Sequence, residues 1–195
     1  MNLSRQQIRQ HVRERRQQLS DADQRLAAES LLCQLQSLPQ FQNANRVGLY
    51  LANDGEIDPE PVIQHLWHKG CDVYLPVLHP FSKGHLLFLH YDRNTLLIRN
   101  QYGIPEPRLD ATAIAPLTSL DLLLCPLVAF DAEGNRLGMG GGFYDRTLSR
   151  WHPEANPAPY PVGLAHNCQQ VEALPAQEWD VPLPMIATPD KVWQW

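Results

Sequence analysis

Gly134-Asn135-Arg136-Leu137-Gly138-Met139-Gly140-Gly141-Gly142-Phe143-Tyr144-Asp145-Arg146 gathers five of the chain's 11 glycines, with two arginines, two aromatic rings and an aspartate. Consecutive glycines let backbone N–H groups crowd around an anion, because no Cβ blocks the approach. Arg136 adds positive charge, Phe143 and Tyr144 offer flat rings, and Asp145 can hold a cation. The apolar run Asp121-Leu122-Leu123-Leu124-Cys125-Pro126-Leu127-Val128-Ala129-Phe130 precedes this loop and reads as a buried strand and its exit. A strand feeding such a loop is where a phosphate-bearing ligand sits in open α/β sheets. The loop is therefore the candidate active site, although Asp131-Ala132-Glu133-Gly134 has the composition of an ordinary turn. Known fingerprints do not fit it. No Gly-Lys-Ser/Thr follows, the register Gly138-x-Gly140-x-x-Phe143 lacks the third dinucleotide glycine, and Arg136 occupies the turn-glycine position of a calcium loop.

Other residues have chemistry to offer. Arg5 and Arg9 are four apart, so a helix can project both toward one anion or toward solvent. Arg136 and the backbone of Gly138, Met139, Gly140, Gly141 and Gly142 would complete a phosphate cradle. Asp145 and Asp180 are the magnesium candidates, since that ion takes one or two carboxylates plus phosphate oxygens and water. Asp145 also sits where a helix cap could be. Glu56 lies just past a strand end, where a carboxylate can accept two adjacent N–H donors, or simply be solvated. Arg13 and Arg16 are expected at the surface, as are His65 and His68, which lack a third ligand. Cys125 reads as packing rather than as a nucleophile.

The elements that must position these residues alternate. A helix is expected over 3–18, with Ile8 and Val12 on its apolar face, and a second from the Ser20 cap to about Ser37. A strand at 46–51, a turn at Asn53-Asp54-Gly55, a helix at 59–69 stopped by Gly70, and a strand at 71–75 follow. Further strands are expected near 85–90 and 120–124, with Ile104-Pro105-Glu106-Pro107 as an extended connection. The glycine loop leads into a helix over 143–151, ended by the proline-rich stretch 152–161. Strands at 162–165 and 185–188 close the chain, with the Trp- and Pro-rich segment after Trp179 as a docking tail. Such alternation argues for an α/β domain with a mainly parallel sheet. The 195 residues favour a single domain, and 44% hydrophobic with 19% charged residues is ordinary globular composition. A formal charge of −5 argues against a nucleic-acid partner, and no apolar run is long enough for a bilayer. Cys33, Cys71, Cys125 and Cys168 form no Cys-x-x-Cys pair, so free thiols and the cytoplasm are expected.

Leu137 through Arg146 also resembles the signature of the 5-formyltetrahydrofolate cyclo-ligase (methenyltetrahydrofolate synthetase) family. Arg5-Gln6-Gln7-Ile8-Arg9 is similar to its opening basic pattern, where lysine is commoner at the first position. Tyr50-Leu51 with Glu56, Tyr102-Gly103-Ile104-Pro105-Glu106-Pro107, Pro161-Val162-Gly163, Gln169, and Leu174-Pro175 through Trp179-Asp180-Val181 match further segments in the family's order. The resemblance implies a three-layer α/β/α, Rossmann-like single domain, 1–195, acting as a monomer. It implies an enzyme using ATP and Mg2+ on 5-formyltetrahydrofolate, with or without a polyglutamate tail. Arg5, Arg9, Arg136 and the segment Leu137, Gly138, Met139, Gly140, Gly141, Gly142, Phe143, Tyr144 would then hold ATP. Leu51, Glu56, Met139 and Phe143 would hold the folate, Asp145 and Asp180 the metal, and Arg9, Arg136 and Asp145 would be catalytic. Met139 and Gly141 replace basic residues of some relatives, and Phe143 replaces a frequent tyrosine. Two other readings share the loop: an ATP-dependent enzyme acting on a different amide or pterin, and a non-catalytic folate- or nucleotide-binding protein.

Overall fold

A computed structural model describes residues 3–155 and 158–195. Its elements run α1 (Arg5–Gln17), α2 (Asp21–Gln36), α3 (Pro39–Asn43), β1 (Arg46–Gly48), α4 (Glu60–Lys69), β2 (Asp72–Leu78) and β3 (Leu86–His90). A ribbon of β4 (Leu97–Arg99) and β5 (Pro105–Pro107) follows, then β6 (Ile114–Ala115) and β7 (Leu122–Pro126). The rest are β8 (Ala129–Phe130), β9 (Arg136–Leu137), α5 (Phe143–Leu148), β10 (Tyr160–Leu164), β11 (Met185–Ala187) and β12 (Val192–Gln194). Both N-terminal helices begin as their sequences suggest. Ser4 and Ser20 each close a capping box, with Gln7 and Asp23 as the returning side chains. Gly70 ends α4 in the left-handed conformation.

Among the described residues, eight strands form one sheet in the order β12-β11-β10-β7-β1-β2-β3-β6. Neighbours from β11 through β2 pair in parallel, while β12 and β3 join antiparallel. This is the mainly parallel α/β architecture expected from the alternation of elements. Strand β7 shows why the sheet is covered on both faces. Leu122 and Leu124 enter one apolar cluster, whereas Leu123 and Cys125 enter the other. Leu31, Leu35, Phe41, Val62, Ile63 and Leu66 of α2, α3 and α4 build the first cluster. The second takes Tyr74, Phe88, Leu123 and Cys125 from the sheet, Leu148 and Tyr144 from the short α5, and residues such as Leu127 and Leu183 from loops. Helix α1 packs separately, with Ile8 and Val12 against Val128, Ala129 and Leu137.

Differences from the expected elements lie where segments are shortest. Ile104–Pro107 is part of a paired ribbon rather than a bare connection, Ile98 facing Glu106 across it. Arg136 and Leu137, read as loop, pair with Phe130 and Ala129. Helix α5 stops at Leu148, where Trp151 N–H bonds the Leu148 carbonyl at 2.9 Å and the chain turns away. The tail after Trp179 supplies β11 and the edge strand β12, so it completes the sheet. The chain leaves β1 toward β2 on one side, while β7 and β10 lie on the other. Loops after β1 and β7 therefore diverge at a topological switch point, the usual place for a ligand.

Candidate active site

A cleft of about 1170 Å³ opens at this point. That lies just above the roughly 300–1,000 Å³ of a pocket for one drug-sized molecule. The glycine loop forms one wall. Gly140 and Gly142 have φ of 104° and 65°, which a residue with a Cβ adopts only with strain. The backbone amides of residues 138–142 meet no acceptor among the described residues. Arg9 lies over them, donating from Nε to the Gly138 carbonyl at 2.8 Å and keeping its terminal nitrogens for the cleft. Burial and the neighbouring Arg5 charge lower the Arg9 pKa, so this guanidinium is short of counter-charge. Unspent amides beneath an undercompensated cation can receive an anion.

Two aspartates line the same wall in different circumstances. Asp180 is gripped by Arg5 through both carboxylate oxygens, Nη2 reaching Oδ1 at 2.8 Å, and accepts the Gln177 amide at 2.9 Å. Burial pushes its pKa up, but Arg5 and the Gln177 amide outweigh it and hold the carboxyl below the ordinary value. Asp145 Oδ1 accepts from Arg136 Nη2 at 2.6 Å and lies 3.5 Å from the Val181 amide, while Oδ2 has no partner among the described residues. No cluster of three or more His, Cys, Asp and Glu side chains occurs among the described residues. A magnesium ion therefore fits Asp145 through its open oxygen, with phosphate oxygens and water completing the shell. Asp180 fits less directly, because Arg5 occupies both of its oxygens. Arg136 is itself buried, and its Nε also bonds the Val181 carbonyl at 3.0 Å, so it struts Asp145 and the 181 segment.

The opposite wall follows β1. Asn53-Asp54-Gly55-Glu56 forms a turn with φ of 53° at Asp54 and 73° at Gly55, the I′ arrangement. It presents Glu56, whose Oε2 accepts the Asn53 amide at 3.1 Å. Burial raises the Glu56 pKa to about 7, against the lowering effect of Arg16 and the Asn53 amide. Leu51 and Phe143 add apolar surface to the cleft, and Tyr102 meets the Phe143 ring edge-on at 6.2 Å. Arg146 sits over Phe143, its guanidinium 5.8 Å from the ring centre, and bonds the Gly84 and Gly141 carbonyls, tying the glycine loop to the β2–β3 hairpin.

Arg5, Arg9, Leu51, Glu56, Arg136, Gly138, Met139, Gly140, Gly141, Gly142, Phe143, Tyr144, Asp145 and Asp180 all line this one cleft. Leu137 does not: it is 1% exposed and packs against α1, because its place on β9 turns it inward. Arg16 corrects the surface expectation, whereas Arg13 stays at the surface with its side chain 41% exposed. Arg13 pairs with Asp54 at 2.5 Å, and Arg16 is fully buried on the same residue. Their signal was present, since about 100° per residue puts Arg5, Arg9, Arg13 and Arg16 within an arc of about 80° on one helix. Glu106 was also passed over. It is buried in the cleft wall, accepting the Leu78 amide at 3.1 Å and Asn100 Nδ2 at 3.0 Å. Cys125 is packing, as expected, and burial pushes its thiol to about 12.

A mainly parallel sheet with a glycine loop facing a desolvated carboxylate across its switch point has the layout of an α/β enzyme. Residues 2–189 match the model of the 5-formyltetrahydrofolate cyclo-ligase family. The 5-formyltetrahydrofolate cyclo-ligase of Escherichia coli (strain K12) is 49% identical over 184 residues, covering 94% of this chain and 100% of that protein. That of Haemophilus influenzae is 51% identical over 179 residues, 92% and 94% of the two chains. The solved 5,10-methenyltetrahydrofolate synthetase of Aquifex aeolicus superposes with a TM-score of 0.81 at 30% identity, covering 97% of this chain and 92% of that one. The chain belongs to the 5-formyltetrahydrofolate cyclo-ligase family, a family of ligases. No helix among the described residues is long and apolar enough to cross a membrane.

Proposed function

We propose that this enzyme converts 5-formyltetrahydrofolate to 5,10-methenyltetrahydrofolate while ATP becomes ADP and phosphate. The observation that carries the reading is the pairing of unspent 138–142 amides under Arg9 with Glu56 across one cleft. Glu56 accepts two adjacent N–H donors of the pterin, and Leu51, Met139 and Phe143 pack on its ring system. Arg5, Arg9, Arg136 and the loop amides hold the nucleotide phosphates. The formyl oxygen attacks the γ-phosphorus, forming an O–P bond as the bond to the ADP oxygen breaks. N10 then adds to the activated carbon and loses its proton. The C–O bond breaks with phosphate as leaving group, which an unphosphorylated oxygen would not be. Arg9 and the amides stabilise charge on the transferring group, and holding N10 beside the formyl carbon makes closure fast. Asp145 would hold magnesium, with Asp180 orienting Arg5 beside it; the ion would neutralise phosphate charge when bound. The chain is read as one domain, working as a monomer in the cytoplasm. A cleft drawn from Arg5 to Val181 and four unpaired cysteines support that reading.

The test is the near-ultraviolet absorbance of methenyltetrahydrofolate after mixing protein with 5-formyltetrahydrofolate and Mg-ATP. An ATP-dependent rise, absent without magnesium, is expected. Folded protein that binds ATP and gives no rise would refute the substrate, though not the nucleotide site.

A further inference from the structure

We infer that Arg16 and Asp54 act as a positioning pair for the Glu56 carboxylate, setting folate affinity through it, with Arg16 outside the cleft lining. This rests on the reading of Glu56 as the folate contact. Arg16 is fully buried, and its guanidinium is spent on the turn that carries Glu56. Nε and Nη2 both donate to the Asp54 carbonyl, at 3.1 and 2.7 Å, and Nη2 also reaches Asp54 Oδ2 at 2.9 Å. Nη1 points to the Leu127 carbonyl at 3.5 Å, just past the end of β7. One side chain thus ties together the loops after β1 and β7, the two that form the switch-point site.

A buried guanidinium is retained only where its hydrogen bonds are met, and here the acceptors are two of the loop's own oxygens and one across the crevice. The turn needs such restraint. Asp54 is a non-glycine residue at φ 53°, a conformation that persists when its surroundings over-determine it. Arg13 and Gln17 hold the same carboxylate at 2.5 and 2.8 Å. The loop's far side is fixed by the Tyr50 hydroxyl, which donates to the Ile57 carbonyl at 2.9 Å. The His166 ring is buried against the same turn, facing the backbone of Gly55 and Glu56. Burial and the Arg16 charge lower its pKa to about 4, against the raising effect of the Gly55 and Glu56 backbone, so the ring adds no second positive charge beside Arg16. Arg16 also provides the main favourable charge felt by Glu56, as its opposition to the burial effect shows. Geometry and charge therefore act on one carboxylate.

The experiment compares Arg16→Lys, Arg16→Met, Asp54→Asn and Glu56→Gln with the wild type, reading kcat, both KM values and Tm. Losing charge-assisted bonds to the loop predicts a rise of about tenfold or more in KM for 5-formyltetrahydrofolate in both Arg16 variants. Asp54→Asn keeps the backbone bonds and should raise it by about threefold or more. KM for ATP should stay within about twofold in all three, which general loosening of the fold would not allow. Arg16→Met, lacking the charge, should also move the pH midpoint of folate KM upward, while Arg16→Lys leaves it in place. Arg16 and Asp54 variants that keep folate KM, or raise both KM values together, overturn the inference. Should the Arg16 variants not fold, Asp54→Asn decides on the same criteria. Glu56→Gln separates the two levels. An unchanged folate KM there refutes the Glu56 reading itself, whereas a raised one beside an unchanged Asp54→Asn refutes only the positioning pair.

Discussion

Glu56→Gln should make the free protein more stable at alkaline pH while it damages substrate binding. In the folded chain, burial holds the Glu56 pKa at about 7, against an ordinary 4.5. A group whose folded pKa is raised adds stability below its unfolded pKa and loses it as pH rises to the folded one. For Glu56 that window runs from about 4.5 to about 7. That rise corresponds to about 3–4 kcal/mol at most, and partial exposure of the side chain reduces this to about 1–2 kcal/mol. Glutamine has nearly the same shape, can still accept the Asn53 amide, and cannot ionise. Urea unfolding of both proteins at pH 5 and pH 8 gives the comparison. The wild type should lose about 1–2 kcal/mol more than the variant between those values.

Binding carries the opposite sign. An ionised carboxylate is the better acceptor for two pterin N–H groups, so wild-type folate KM should fall as pH rises through about 7, the value at which burial sets the titration. The Glu56→Gln profile should be flat and high. Identical pH dependence of unfolding in the two proteins would refute the desolvated carboxylate. A wild-type folate KM that does not change across pH 6–8 would refute its ionised role.

Asp145→Asn should raise the magnesium concentration for half-maximal turnover by about tenfold or more, because a neutral amide replaces the one carboxylate oxygen left open; a magnesium titration of the initial rate reads it. Gly48→Ala should cost about 1–3 kcal/mol, measured by urea unfolding, since overpacking strains a filled core. Its new Cβ would lie 2.8 Å from Leu123 Cδ1 and 3.0 Å from Leu120 Cδ1. Alkylation of the folded protein at mild alkaline pH should label exposed Cys33 and spare Cys125, whose buried thiol is pushed to about 12; peptide mass spectrometry before and after denaturation checks both.

How far the sequence reached follows from what each signal measures. The order of helices and strands was legible because α2, α4, β2 and β7 carry enough residues for a period to show. The Ser20 cap and the Gly70 stop were legible because each is a local chemical requirement. Ribbons β4–β5 and β8–β9 were not, since two or three residues display no period and their pairing is set by distant contacts. The glycine loop was legible by composition, and so was its place after a buried strand. Leu137 lay inside that motif, yet strand pairing turned it toward α1.

The arginines of α1 show where composition fails and geometry is needed. A basic helix face is ordinarily solvated, so each arginine taken singly has surface as its default. Buried arginine becomes favourable only when oxygens converge on it, and those oxygens belong to residues 38 and 111 positions away. No local window contains both partners. What a single window does contain is the shared arc of Arg5, Arg9, Arg13 and Arg16, two of which were already assigned to phosphate. One straight helix cannot aim the first two into a cleft and send Arg16, which lies between them on the same face, into solvent. Its N-terminal half meets the glycine loop, and its C-terminal half meets the turn of Glu56. The glycine-loop wall and the Glu56 wall are therefore fixed relative to each other by one rigid element outside the sheet. A change in α1 register should disturb both KM values, whereas a change at Arg16 alone should disturb one.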